Sequence, residues 1–505
     1  MSSPSQQLSP KESQSTPLPK VRVGPFSGAE RSVLRSLAQL PGPPGLPILG
    51  NSFDLRPSRS VEIFERWARE HGPLCRVKFP RGNLLLVTQP EWGEQLLRAR
   101  PGALRRWSGI EPVFAELGAR GVFSEEGEAW RAQRRLVMEA LSQRHLRGFF
   151  PTLKRVTQRL QRHWERAASD GRVIEPTVDL MRFTTDVTVS LAFSTDMNSI
   201  EDAEQQLQKN LSLVFPAIGN RLNSLFPYWR YLELPKDRRL SRALAEIKKI
   251  QVELLAAARA RVETKQAQAG DTPDEEIEAS DMLEAMLLAR DEQGAHYSDD
   301  ALYGNMLTML LAGEDTTAFG LAWALHFLAD RPDIVEKMRQ EADERMGHTS
   351  VLDDLATAKP LAYIDGVANE ALRLKSPAPA APLETLKELA IGDVYVPPGC
   401  AVQVMTRIPA VSEANFSSPQ LFAPERWLPS SGFARHEPRV NIPFGSGPRI
   451  CPGRTLALLE MRMVLSMLAK NFDIQRVGEA SQVLERTAFV LTPVGIRVKL
   501  TPRPG

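Results

Sequence analysis

The stretch Phe444-Gly445-Ser446-Gly447-Pro448-Arg449-Ile450-Cys451-Pro452-Gly453 constrains this chain more than any other. Its three glycines permit turns and close approaches that a Cβ would block. A loop of that kind can aim several backbone N–H groups at one sulfur. A thiolate held so is a soft, electron-rich ligand suited to iron. Arg449, two positions before the cysteine, can pair with a carboxylate carried by the same ligand. A buried structural cysteine is the plainer reading, and a common one, but it does not need this glycine pattern.

With 505 residues, 42% apolar and 25% charged, the chain has the material for a large globular core. The motifs below run from Trp130 to Cys451, so residues 41–505 read as one large unit. Residues 1–40, rich in Ser, Pro and Gln, are expected to be disordered. Glu12 and Glu30 weaken a transit-peptide reading of that segment. A net charge of +2 makes no case for nucleic acid. Cys75, Cys400 and Cys451 lie far apart and form no disulfide framework, which suits a reducing compartment and a cytoplasmic location. The segment nearest to a membrane span is Ala301–Ala329. Glu314 and Asp315 interrupt it, so it reads as a buried core helix and no transmembrane anchor is expected.

Periodicity predicts a mainly α chain with a small β region. Pro41-Gly42-Pro43-Pro44-Gly45 marks a stiff loop where the ordered domain begins. Leu74–Phe79 and Asn83–Thr88 read as short strands around Pro80-Arg81-Gly82. Apolar residues three and four apart predict helix over most of 128–265, then a polar loop at Gln266–Ser280. Ser298 is placed to cap a long helix. Strands return around Leu389–Val396, at Ala401–Met405 and near the C-terminus.

Three constellations accompany the cysteine loop. Trp130 and Arg134, four apart, share a helix face and offer an indole N–H and a guanidinium to an anion; an ordinary amphipathic helix would look the same. Thr308, Ala312, Thr316 and Gly320 form a stripe of small residues that leaves room for a flat group, or for tight helix packing. Thr316 can bond the Ala312 carbonyl and bend the helix, and Asp315 beside it is a proton source. Two acids in an apolar helix are costly without a purpose. Glu370 and Arg373 can pair at i and i+3, a weak signal alone, and Arg426 follows within Phe422-Ala423-Pro424-Glu425-Arg426-Trp427.

In chain order these motifs resemble those of the cytochromes P-450: Trp-x-x-x-Arg, Ala-Gly-x-Asp-Thr, Glu-x-x-Arg with a later Arg, and Phe-x-x-Gly-x-Arg-x-Cys-x-Gly. The resemblance covers Pro41 to the C-terminus and is to a soluble, bacterial-like member. It implies a mainly helical fold with haem b buried between the long helix and the cysteine loop, and Cys451 as the axial thiolate on iron. Arg449, Trp130 and Arg134 would meet the propionates, with Phe444, Ala312 and Gly313 around the ring. Glu370, Arg373 and Arg426 would form a buried structural cluster. Thr316 and Asp315 would be the catalytic pair that delivers protons. The implied reaction places one oxygen atom from O2 into an apolar substrate. No flavin or iron–sulfur segment is visible, so a separate electron donor is expected, a ferredoxin or flavodoxin with its reductase. The chain has no Cys-x-x-Cys-His, so nothing points to covalent haem attachment. A peroxide-rearranging haem-thiolate enzyme and a haem-based gas sensor stay open; the Asp315-Thr316 pair favours the monooxygenase.

The chain departs from the pattern in two places. Leu383 stands before Glu384-Thr385 where many members carry an arginine. Ala410-Val411-Ser412-Glu413 precede Phe416 where many carry His-Arg-Asp-Pro. Arg407 is the candidate for the propionate left over. Family position draws the substrate pocket from residues 105–123, 211–232, 308–316, 378–383 and 487–491, with Phe114, Phe215, Phe226, Tyr228, Trp229 and Phe489 among them. A terpenoid, steroid, fatty acid or polyketide would suit these residues, which do not choose among them.

Overall fold

The computed structural model describes residues 20–503, except 81, 203–205, 225, 271–272, 291–293, 359–360 and 430–431. Its centre is the helix Asp299–Leu328, 30 residues long. Ser298 caps it by accepting from the Ala301 N–H, and Asp299 and Asp300 in the first turn suit the positive end of the helix dipole. Most of its residues are buried, because the helices Pro176–Phe193, Ala362–Leu374 and Arg454–Asn471 all pack against it. The loop before the helix Gly127–Ala140 also presses on it. A Cβ on Gly304 would lie 1.8 Å from the Arg120 carbonyl oxygen, and one on Gly121 would lie 2.3 Å from Thr308 Oγ1. Asn305 Oδ1 accepts from the Val122 N–H at 2.9 Å and fixes that loop in place.

The β region is peripheral. Its main sheet runs Leu74–Phe79, Gly82–Val87, Ala401–Met405, Ala380–Thr385, Leu104–Arg106. The pair Gly82–Val87 and Ala401–Met405 is parallel; the others are antiparallel. In the last pair Arg106 lies directly opposite Leu383. The predicted strand Leu389–Val396 is two strands, Leu389–Ile391 and Val394–Val396, paired about a turn at Gly392, whose φ of 61° favours glycine.

The expected disordered segment 1–40 is corrected in its second half. Val21–Val23 adds an edge strand to Leu389–Ile391, and Gln95 Oε1 accepts from the Val21 N–H at 2.7 Å. Phe26 is buried edge-on to Tyr395. An edge strand is held by its backbone bonds, so poor side-chain hydrophobicity did not reveal it. Residues 1–19 lie outside the described residues. Among the described residues no helix is long and apolar enough to cross a membrane.

Candidate active site

Cys451 lies two residues before Gly453, the N-cap of the 18-residue helix Arg454–Asn471. The loop before it closes on itself: the Cys451 N–H donates to the Phe444 carbonyl at 2.9 Å, and Gly445 and Gly447 hold φ of 76° and 74°. Gly447 is also a close approach, since a Cβ there would lie 2.8 Å from the Arg98 Cα. The sulfur faces the N–H groups of Gly453 and Arg454, the nest that the glycine spacing implies. Burial pushes the thiol up; these N–H groups, Arg134 and Arg454 pull it back. Cys75 and Cys400 are buried and burial pushes both up to about 11, so neither is placed to ionise.

Above the sulfur is a cavity of about 1170 Å³. Cys451, Phe444 and Arg449 of the cysteine loop, Ala312, Gly313 and Thr316 of the central helix, and Trp130 and Arg134 all line it. Thr316 donates its hydroxyl to the Ala312 carbonyl at 2.8 Å. Asp315 does not line the cavity but is buried beside it, and burial pushes it up to about 7. The far wall is aromatic. Phe489 meets Phe114, Phe123 and Phe215 with ring centroids 5.4–5.6 Å apart. Phe226, Tyr228 and Trp229 of the expected pocket do not line it. Phe226 is exposed, and the Trp229 indole donates to Glu116 at 2.7 Å on the surface. The short turn Tyr228–Arg230 sets Tyr228 edge-on to Trp229 at 5.3 Å, and both rings are half-buried away from the cavity lining.

A cluster of arginines closes one end. Arg449 lies over the Trp130 ring at 4.1 Å, donates to the Glu125 carbonyl at 2.8 Å and pairs with Glu126 at 2.5 Å. Arg100 and Arg106 share the same Glu126. Three guanidiniums against one carboxylate leave two positive charges in excess. Arg449 Nε and Nη1 and Arg100 Nε and Nη2 are buried with no hydrogen-bond partner among the described residues. Burial and its cationic neighbours hold Arg106 well below the usual arginine range, and burial lowers Arg449 to about 10. Arg134 donates to the Ile450 carbonyl at 2.7 Å and is balanced by the sulfur. Arg100, Arg106 and Glu126 escaped the sequence reading. The arginine density of residues 98–106 was a signal, but nothing in it said that these side chains turn inward.

The structural cluster assembles around one carboxylate. Glu370 accepts from Arg373 Nε and Nη2, both at 2.8 Å, from Arg426 Nε at 3.3 Å, from the Trp427 indole at 3.0 Å and from the Ala423 N–H at 3.1 Å. The two arginines donate onward to the carbonyls of Ala410, Pro419, Ser417 and Ser418, stitching the segment before the cysteine loop to the core. Trp427 was not foreseen as part of it. Arg407 is corrected: four of its five guanidinium N–H groups donate to Glu65 and Glu485, and it does not border the cavity. Two carboxylates near its fixed fork outcompete any other role.

The cytochrome P450 family model matches residues 40–500. This chain belongs to the cytochrome P450 family. It is similar to a self-sufficient cytochrome P450 monooxygenase of Aspergillus terreus, 26% identical over 480 residues, covering 94% of this chain and 44% of that one. It is 24% identical over 480 residues to a bifunctional cytochrome P450/NADPH–P450 reductase of Gibberella moniliformis, 93% of this chain and 41% of that one. The chain thus spans less than half the length of these relatives. The crystal structure of the cytochrome P450DA heme domain shares the fold, with a TM-score of 0.80 at 23% identity over 94% of this chain and 99% of that one.

Family membership brings a haem with thiolate-bound iron, and the residues present fit it. The cavity has the size, it is lined by the Cys451 loop and by Thr308, Ala312 and Thr316 of the small-residue stripe, and the excess of two positive charges matches two propionates. Arg100, Arg106, Arg449 and the Trp130 edge would hold those carboxylates.

Proposed function

We propose that the chain is a haem-thiolate monooxygenase that places one oxygen atom from O2 into an apolar organic substrate. The observation that carries the reading is one cavity lined both by Cys451 of the glycine loop and by Ala312, Gly313 and Thr316 of the central helix. When bound, thiolate-ligated haem supplies the activation of O2 with two electrons from a donor. The chain's own residues do the rest. The Gly453 and Arg454 N–H groups stabilise the thiolate. Thr316, tied to the Ala312 carbonyl, presents a hydroxyl to the cavity. Asp315, held near 7, can give up and regain a proton at neutral pH. The ring of Phe114, Phe123, Phe215 and Phe489 excludes water and favours an apolar substrate.

The donor is proposed to be a ferredoxin or flavodoxin with its reductase. The name of the Gibberella relative makes an NADPH–P450 reductase the second donor to assay. The test is turnover of apolar compounds that shift the haem spectrum, with each donor and NADPH, against hydroperoxide alone. Product that requires donor and O2 supports the reading. Product from hydroperoxide alone, with no NADPH consumed under any donor, overturns it in favour of peroxide rearrangement.

A further inference from the structure

Glu314 is an acid that the reaction as described does not use. It lies two residues after Ala312, about 200° around the central helix and so on its back. Its side chain is 2% exposed. It bonds Gln208 and Thr185, and Oε1 has no partner among the described residues. The charged neighbour acting on it is Asp315, another acid; with burial, this holds its carboxyl well above the usual range. The Thr185 hydroxyl lies 2.8 Å from the Met181 carbonyl as well, so it is shared between that carbonyl and the carboxyl. The Gln208 and Thr185 bonds draw the carboxyl back toward the charged form, but burial outweighs them.

From Thr185 the same face of the helix Pro176–Phe193 leads inward. Thr188, one turn on, is buried, and its hydroxyl has no hydrogen-bond partner among the described residues although it borders the cavity. It reaches there because residue 313 has no side chain: a Cβ on Gly313 would lie 2.3 Å from Thr188 Oγ1. In the other direction Gln208 is half-buried, so the far end of the chain of groups meets solvent. Asp315 Oδ1, by contrast, has no hydrogen-bond partner among the described residues.

We propose that Glu314 holds a proton that passes to the cavity along the Thr185 and Thr188 hydroxyls, a second proton route around the back of the central helix. Glu314 is a positioning residue, acting through Thr188. The Glu314 O–H bond breaks as Thr185 takes the proton and turns its own toward Thr188. The Cβ atoms of the two threonines are about 5–6 Å apart, a gap that one water bridges. Thr188 releases its proton to the cavity, and water at the Gln208 edge reprotonates the carboxylate. No electrons change hands.

The inference rests on the monooxygenase reading, and the experiment separates the two. In the haem-loaded protein, infrared spectroscopy at neutral pH should find a protonated-carboxyl band that Glu314→Gln removes. Donor-driven turnover should then lose product per NADPH by about tenfold in Glu314→Gln and in Thr188→Val. The double variant should lose no more than either alone, because both lie on one route, and the solvent isotope effect should change in all three. Substrate-induced spectral shifts should stay as in the wild type. Wild-type coupling and isotope effect in Glu314→Gln, or additive losses in the double variant, overturn the route. Absence of the band overturns it at the first step. If the wild type has no donor-driven turnover, the monooxygenase reading fails, and the relay fails with it as a device for that reaction, while the band still decides whether Glu314 holds a proton.

Discussion

Replacing Asp315 with Asn should make the protein more stable and the enzyme slower, and the gain should grow with pH. Burial moves the carboxyl from its ordinary 3.8 to about 7 in the folded state. The folded chain therefore binds this proton more tightly than the unfolded chain. Below pH 3.8 both states are protonated and the group costs nothing. As pH rises from 3.8 to about 7 the unfolded state ionises freely and the folded state does not, so stability falls. Above about 7 the loss is constant. At 1.36 kcal/mol per pH unit the whole loss is ~4 kcal/mol, of which ~3 kcal/mol falls above pH 5. Asn cannot ionise and escapes it. Its amide brings a packing cost of its own, but that cost does not depend on pH. The assay is denaturant unfolding of haem-loaded wild type and Asp315→Asn from about pH 5 to about pH 8. The stability difference should shift by ~3 kcal/mol in favour of Asn and level off above about pH 7. A difference flat across that range would mean that the carboxyl is not held near 7, and its part in proton delivery at neutral pH would lose its basis.

Cys451→Ala should abolish the thiolate signature in the spectrum of the reduced, CO-bound protein, whereas Cys400→Ala and Cys75→Ala should keep it. Thr316→Ala should leave that spectrum intact and divert reducing equivalents to hydrogen peroxide, read as peroxide and product per NADPH. Arg426→Ala, which strips a buried charge from Glu370, should destabilise the fold by about 3–5 kcal/mol in denaturant unfolding, with little haem-bound protein recovered. Gly304→Ala drives a methyl into the Arg120 carbonyl and should cost about 1–3 kcal/mol by the same assay.

What was legible in the sequence was whatever depends on local spacing. The cysteine loop, the Ser298 cap, the small-residue stripe and the Glu370–Arg373 pair are each set by neighbours within a few turns of chain; the cap and the pair both form, and the loop and most of the stripe border one cavity. Partners from distant segments were not legible. Nothing near Trp427 says that its indole meets Glu370, and nothing near Arg407 says that Glu65 and Glu485 hold it. Val21–Val23 was missed because a three-residue edge strand takes its stability from the strand it joins. Phe226, Tyr228 and Trp229 were misplaced because aromatic character does not reveal which way a short turn points a ring.

The register that sets Arg106 opposite Leu383 makes one requirement the joint property of two positions. Directly opposed residues in an antiparallel pair put their side chains on the same face, about 5 Å apart at Cβ. A guanidinium can thus be supplied from either strand to nearly the same point beside the cofactor. Read column by column, the arginine missing at 383 looks like a lost contact; read across the ladder, it is a trade between neighbours. Exchanging the two, Arg106→Leu with Leu383→Arg, should therefore retain haem better than either substitution alone, and families that satisfy this spot differently need not differ in how firmly they grip it.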